Sequence, residues 1–163
     1  MKAFGITGAS GSGKTMLITL LLPVLRARGL IVSTVKHAHH GFDLDRPGKD
    51  SWLHRAAGAS EVMLVSGGRW ALLRETAEEE CGLETILARM APADLVLVEG
   101  FRASAIPKLE VHRAATGKPP YWPDDTSIVA VATDQPGRVT GRRSLALSDP
   151  SAIADFILAG CAS

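Results

Sequence analysis

Gly8-Ala9-Ser10-Gly11-Ser12-Gly13-Lys14-Thr15 is the stretch that decides the fold. It fits the spacing G-x-x-x-x-G-K-[ST] and lies between an apolar run, Lys2 to Thr7, and a helical stretch, Lys14 to Arg28, which is the setting that spacing requires. Glycines let the backbone curl so that successive N–H groups point into one concavity, and the following helix adds the partial positive charge of its N-terminus. Such a nest takes phosphate oxygens. Gly8 through Met16 are therefore expected to cradle the phosphates of a nucleotide: Gly8, Ala9, Ser10, Gly11, Ser12 and Gly13 through the loop, Lys14 through its ammonium on the β- and γ-phosphates, Thr15 through a hydroxyl on Mg²⁺, and Met16 in the first helical turn.

Working outward, Gly29 is a C-terminal stop for the helix, and Pro23 within it predicts a kink. Ile31 to Lys36 reads as a second strand, and strand, helix and strand in so short a span make a βαβ unit, the building block of a parallel sheet. His37 to Lys49 reads as a loop and Asp50 to Ala57 as a short helix. Glu61 to Val65 and Trp70 to Arg74 flank Ser66, Gly67 and Gly68, which predicts a hairpin and an antiparallel edge on the sheet. Glu78 to Met90 is amphipathic, with the acidic run Glu78, Glu79, Glu80 in its first turn. Leu95 to Val98, ending in Glu99, and Ile128 to Ala132, ending in Thr133 and Asp134, are apolar enough for central strands covered on both faces. Lys108 to His112 and Ser144 to Leu147 are weaker strands. Asp149 and Pro150 open a last helix as N-cap and first helical residue, and Thr116 to Asp125 reads as a proline-rich surface loop. The expected fold is α/β: a doubly wound, mostly parallel sheet of phosphate-loop type with an antiparallel hairpin edge, in one domain over 1–163.

Composition narrows the partners. With 18 Lys and Arg against 17 Asp and Glu the net charge is +1, too little to create the long-range field that draws nucleic acid or an anionic membrane. Neither is expected as a partner, and any bound anion must be held by local groups. Two cysteines, Cys81 and Cys161, without CxxC spacing, signal neither a disulfide framework nor a thiolate metal site. The opening run shows no signal-peptide pattern, so a cytoplasmic location is expected.

A Mg²⁺ ion on Thr15 needs further oxygen ligands, commonly an acid at the end of a neighbouring apolar strand. Glu99 is one, on the metal, on a metal-bound water or on the attacking water; Asp43, Asp45 and Asp50 are the others. Lys36, ending the second strand, would point its ammonium into the same crevice, because ligands bind beyond the carboxyl ends of parallel strands. His37, His39 and His40 form HxHH there and suit phosphate or substrate contact, with a transition metal as the rival reading. Trp52 and Trp70 read as core or interface, and Trp122 as a possible partner contact.

Taken together, these segments resemble the molybdopterin-guanine dinucleotide biosynthesis protein B family, MobB. The resemblance rests on Gly13-Lys14-Thr15, Thr34-Val35-Lys36-His37-Ala38-His39-His40, Asp45-Arg46-Pro47-Gly48-Lys49-Asp50-Ser51, Arg69-Trp70-Ala71-Leu72, Leu97-Val98-Glu99-Gly100-Phe101 and Ile128 to Asp134. It implies a homodimeric GTP-binding protein with weak GTPase activity that assists the guanylyltransferase MobA in attaching GMP to molybdopterin, with molybdopterin itself a further ligand to consider. A looser similarity to dethiobiotin synthetase implies that Asp50 and Glu99, with Thr15, hold Mg²⁺, and that Lys36 joins Lys14 at the terminal phosphate. Thr133 and Asp134 match the segment that reads the purine, although the chain lacks the asparagine and lysine of the NKxD pattern. Two rival classes use the same loop: a small-molecule ATP-dependent kinase or ligase of the dethiobiotin synthetase type, and a histidine-rich metallochaperone GTPase.

Overall fold

In the computed structural model, which describes residues 1–38, 43–76 and 81–161, the elements are β1 (Lys2–Thr7), α1 (Lys14–Ala27), β2 (Val32–Lys36), α2 (Asp50–Ala56), β3 (Glu61–Ser66), β4 (Arg69–Arg74), α3 (Leu83–Arg89), β5 (Leu95–Glu99), β6 (Lys108–His112), β7 (Ile128–Thr133), β8 (Arg143–Ala146) and α4 (Pro150–Gly160). They fall into two units. One comprises Met1–His37 with Arg89–Ser163, the other Ala38–Ala88.

The first unit is built on a six-stranded sheet in the order β2-β5-β1-β6-β7-β8, with every neighbouring pair parallel. Side chains alternate between the two faces of each strand, which turns Phe4, Ile6, Leu97, Leu109, Val111 and Ala132 into one core with Leu17, Leu21 and Leu25 of α1 and Ile153 and Ile157 of α4. Each of the Phe, Leu, Ile and Val side chains contributes about 1.5–3 kcal/mol by leaving water. α1 runs through Pro23 and stops at Gly29, whose φ of 81° suits a residue without a side chain. Asp149 caps α4, its carboxylate accepting from the Ala152 N–H at 3.0 Å.

β6 carries two charged residues that the strand alternation turns away from Leu109 and Val111. Lys108 is fully buried; its ammonium donates to the Ser104 carbonyl, to the Ile106 carbonyl at 3.3 Å and to the Ser127 hydroxyl at 2.7 Å. Its stem crosses Gly5, where a Cβ would stand 2.7 Å from Lys108 Cγ, so glycine makes the room. Glu110, also buried, accepts from the Tyr121 N–H at 3.0 Å and the Trp122 N–H at 2.8 Å. The proline-rich segment is thereby tied to the sheet instead of lying free on the surface. Trp122 is not a partner contact but a core residue with Ile128 and Val131.

In the second unit the expected hairpin forms, with Gly67 and Gly68 between paired β3 and β4. It makes a sheet of its own rather than an edge of the parallel sheet, whose outer strands are β2 and β8. Arg55 of α2 joins three carboxylates: Asp45, bidentately through Nε at 3.2 Å and Nη2 at 2.7 Å, Asp43 at 2.9 Å, and Glu75. That guanidinium holds the Asp45 carboxyl below its usual range. α3 begins at Leu83, with Gly82 supplying the carbonyl that receives the Ile86 N–H, so the helix is shorter than its apolar period suggests; Glu78, Glu79 and Glu80 lie outside the described residues.

Candidate functional site

The end of β1 turns into α1 through three glycines with left-handed φ values, Gly8 (135°), Gly11 (82°) and Gly13 (101°). At Gly8 even a methyl group is excluded, because a Cβ would lie 2.3 Å from the Val111 carbonyl oxygen. Lys14 folds over the loop, its ammonium donating to the Gly8 carbonyl at 2.9 Å and the Ala9 carbonyl at 3.0 Å. Burial lowers its pKa; Glu99 opposes that, and the charges of Lys36 and Lys118 add to it. Ser12 is buried, and its hydroxyl has no hydrogen-bond partner among the described residues. The Met16 side chain is exposed on the first turn.

Thr15, in the first turn of α1, and Glu99, the last residue of β5, meet: the Thr15 hydroxyl lies 3.0 and 3.1 Å from the two carboxylate oxygens. The parallel register makes this possible, because β5 lies directly beside β1 and Ile6 pairs with Glu99. Lys36 ends β2 opposite Glu99, with its ammonium 3.8 Å from the carboxylate. A hydroxyl and a largely buried carboxylate beside a phosphate-type loop form a hard oxygen pair, the donor chemistry that Mg²⁺ takes. His37 follows, its N–H donating to the Glu99 carbonyl at 2.8 Å and its ring 4.6 Å from that of Phe101, a non-glycine residue held at φ 47°. Asp50 opens α2 in the second unit. His39 and His40 lie outside the described residues. At the end of β7, Thr133 is buried and accepts from the Gln135 N–H at 3.1 Å, while the exposed Asp134 receives the Ala114 N–H at 3.4 Å.

One neighbour of the loop is absent from the sequence reading. Arg113 follows β6 and donates through Nε to the Ser12 carbonyl at 3.0 Å. Its signal is its place, one residue beyond a strand that pairs with β1, but a strand carrying Lys108 and Glu110 looks too polar to be central.

A glycine loop joining a buried parallel strand to a helix, with a lysine over it and a hydroxyl facing a strand-end carboxylate, defines a phosphate-loop protein of the nucleotide-binding class. Residues 3–134 match the model of the family described as molybdopterin guanine dinucleotide synthesis protein B. A Haemophilus influenzae protein named molybdopterin-guanine dinucleotide biosynthesis adapter protein is 44% identical over 156 residues, covering 94% of this chain and 85% of its own. The Escherichia coli protein of the same name is 41% identical over 153 residues, covering 91% and 87%. The crystal structure of a molybdopterin-guanine biosynthesis protein B superposes with a TM-score of 0.79 at 34% identity over 99% of both chains. The chain belongs to the molybdopterin guanine dinucleotide synthesis protein B family.

Proposed function

We propose that this protein is an adapter in molybdopterin guanine dinucleotide formation, binding GTP on the phosphate loop and assisting the guanylyltransferase MobA in the transfer of GMP to molybdopterin. The observation that carries the nucleotide reading is the meeting of Thr15 and Glu99 beside Lys14. In this reading Lys14 leaves the Gly8 and Ala9 carbonyls for the β- and γ-phosphates, and Lys36 swings from Glu99 toward the terminal phosphate. Mg²⁺, held by Thr15 and Glu99, would supply charge neutralisation on the phosphates; the role of Asp50 as a further carboxylate is carried by the resemblance alone. His37 lies along the same crevice, and Thr133 and Asp134 face the base. A carboxylate there accepts both N1–H and the 2-amino group of guanine, whereas adenine offers an acceptor at N1.

Hydrolysis is a side activity, slow because the sequence presents no recognisable arginine finger or catalytic glutamine; turnover well below about 1 per second is expected. The family match favours the adapter over the ATP-dependent ligase and the metallochaperone. The chain would act in the cytoplasm; no helix among the described residues is long and apolar enough to cross a membrane. It would do so as a homodimer. One face of the hairpin carries Met63, Val65, Trp70 and Leu72, all exposed, and a patch of that kind is a natural centre for association with a second copy.

Competition against labelled GDP tests the assignment. GTP should displace it at far lower concentration than ATP does; equal displacement by the two would remove Asp134 as a base reader and reopen the ligase reading.

A further inference from the structure

The segment leaving β6 touches the phosphate loop and the end of β7 with adjacent residues. Arg113 Nε donates to the Ser12 carbonyl at 3.0 Å, and the Ala114 N–H donates to Asp134 Oδ1 at 3.4 Å. The register explains the pairing: His112 stands opposite Thr133, so Arg113 and Asp134 leave neighbouring strands at one level, and β6 also lies beside β1. The guanidinium packs on Gly13, where a Cβ would stand 3.3 Å from Arg113 Nε and 3.6 Å from Nη2. Gly13 therefore serves both its left-handed φ and this approach.

Arg113 is itself held. Its carbonyl accepts from the Thr116 N–H at 3.1 Å and the Thr116 hydroxyl at 2.8 Å, which fixes the start of the segment. Glu110, three residues before Arg113 on β6, accepts from the Tyr121 and Trp122 N–H groups, which fixes its end. The His112 ring meets Trp122 edge-on at 5.2 Å, closing the segment back on the strand that launches it. A half-buried arginine so restrained loses little entropy in keeping its bond to Ser12.

We infer that Arg113 is a positioning residue for nucleotide binding: with Ala114 it forms a strut that locks the phosphate loop to the base-facing end of β7, so that phosphates and base meet their partners in one fixed register. The chain has no asparagine or lysine of the NKxD pattern before Asp134, and the strut supplies from β6 a connection that does not depend on them. The inference rests on the phosphate loop being the nucleotide site. It concerns both the di- and the triphosphate, since Ser12 and Gly13 belong to the loop that both must enter.

The test is binding of fluorescent GDP and of a non-hydrolysable fluorescent GTP analogue, with Mg²⁺, to the full chain and to Arg113→Met, Arg113→Lys and Lys14→Ala. Arg113→Met should weaken both nucleotides by the same factor, roughly tenfold, as expected for one lost charge-assisted bond. The melting temperature without nucleotide should stay close to that of the wild type. Arg113→Lys, which keeps a cationic donor, should recover most of the affinity. Wild-type affinity in Arg113→Met, together with loss in Lys14→Ala, would overturn this inference alone, and wild-type affinity in both would overturn the nucleotide-site reading and the inference with it. Loss confined to the triphosphate, or failure of Arg113→Lys to restore binding, would also overturn it. So would a large drop in melting temperature in both Arg113 variants, since that would mark a purely structural role.

Discussion

The two units handle their charges and their apolar surface in opposite ways. In the first, the parallel sheet buries its apolar residues against α1 and α4, and charged groups stand where strands end: Lys14 over the loop, Glu99 against Thr15, Lys36 beside Glu99. In the second, Arg55 is satisfied by Asp43, Asp45 and Glu75, while Met63, Val65, Trp70 and Leu72 are exposed. Charges that neutralise one another are poor chemistry, and exposed apolar side chains are a poor surface for a lone chain. Under the proposed function, nucleotide binding centres on the phosphate loop of the first unit and self-association on the hairpin face of the second.

The largest effect that could break this division is on assembly. Trp70→Asp should convert a dimer to a monomer by sedimentation or light scattering while leaving nucleotide affinity per chain intact. A variant that stays dimeric would show that the hairpin face is not the centre of the interface. Next, Glu99→Gln keeps the shape of the site and removes its charge, so the Mg²⁺ dependence of GTP binding should weaken by on the order of tenfold to a hundredfold, with little change for GTP without metal. An unaltered Mg²⁺ titration would take Glu99 out of the metal site.

Gly5→Ala sharpens the comparison from the side of packing. The added methyl would press on a buried lysine stem, 2.7 Å from its Cγ, and should cost about 1–3 kcal/mol in denaturant unfolding. Unchanged stability would mean that Lys108 can leave its buried position. The smallest expected effect is on pH. Burial raises the Glu110 pKa, against the Tyr121 and Trp122 N–H donors and the charges of His112 and Arg102, which pull it down. A carboxyl that binds its proton more tightly when folded favours the fold at low pH, and that advantage is lost as pH rises through its raised value. Asp45 and Asp125 have lowered values, the first from its bonds to Arg55 and the second from the Ser127 hydroxyl, so their contribution is present above the ordinary carboxylate range and lost as pH falls through their lowered values. Acidification from neutrality should therefore first raise the melting temperature slightly and then lower it. Glu110→Gln should abolish the rise and keep the fall; a rise that persists would place its origin elsewhere.

Much of the first unit was legible from pattern. β1, β5 and β7 are apolar runs bounded by residues that cannot continue them, and the Gly-Lys-Thr signature fixes where the chain turns. The proximity of Thr15 and Glu99 was readable too, since a phosphate loop and the end of an adjacent parallel strand share one edge of a sheet. β6 was harder to read, because hydropathy cannot show that Gly5 makes room for Lys108 or that loop carbonyls and Ser127 satisfy its ammonium. Trp122 reads as a partner contact in a proline-rich loop for a related reason: its neighbours do not show that the buried Glu110 carboxylate draws its backbone onto the sheet. Arg113 was hidden behind both misreadings. The hairpin was visible in Gly67 and Gly68, but a turn signal says which strands pair and not which sheet they join.

The measurement that reaches furthest is a calorimetric titration of GTP with Mg²⁺ into the wild-type protein and into Lys14→Ala. One GTP should bind per wild-type chain and none measurably to the variant, whose circular dichroism and melting should match the wild type. Equal binding by a folded Lys14→Ala protein would contradict the assignment of the phosphate loop as the guanine nucleotide site.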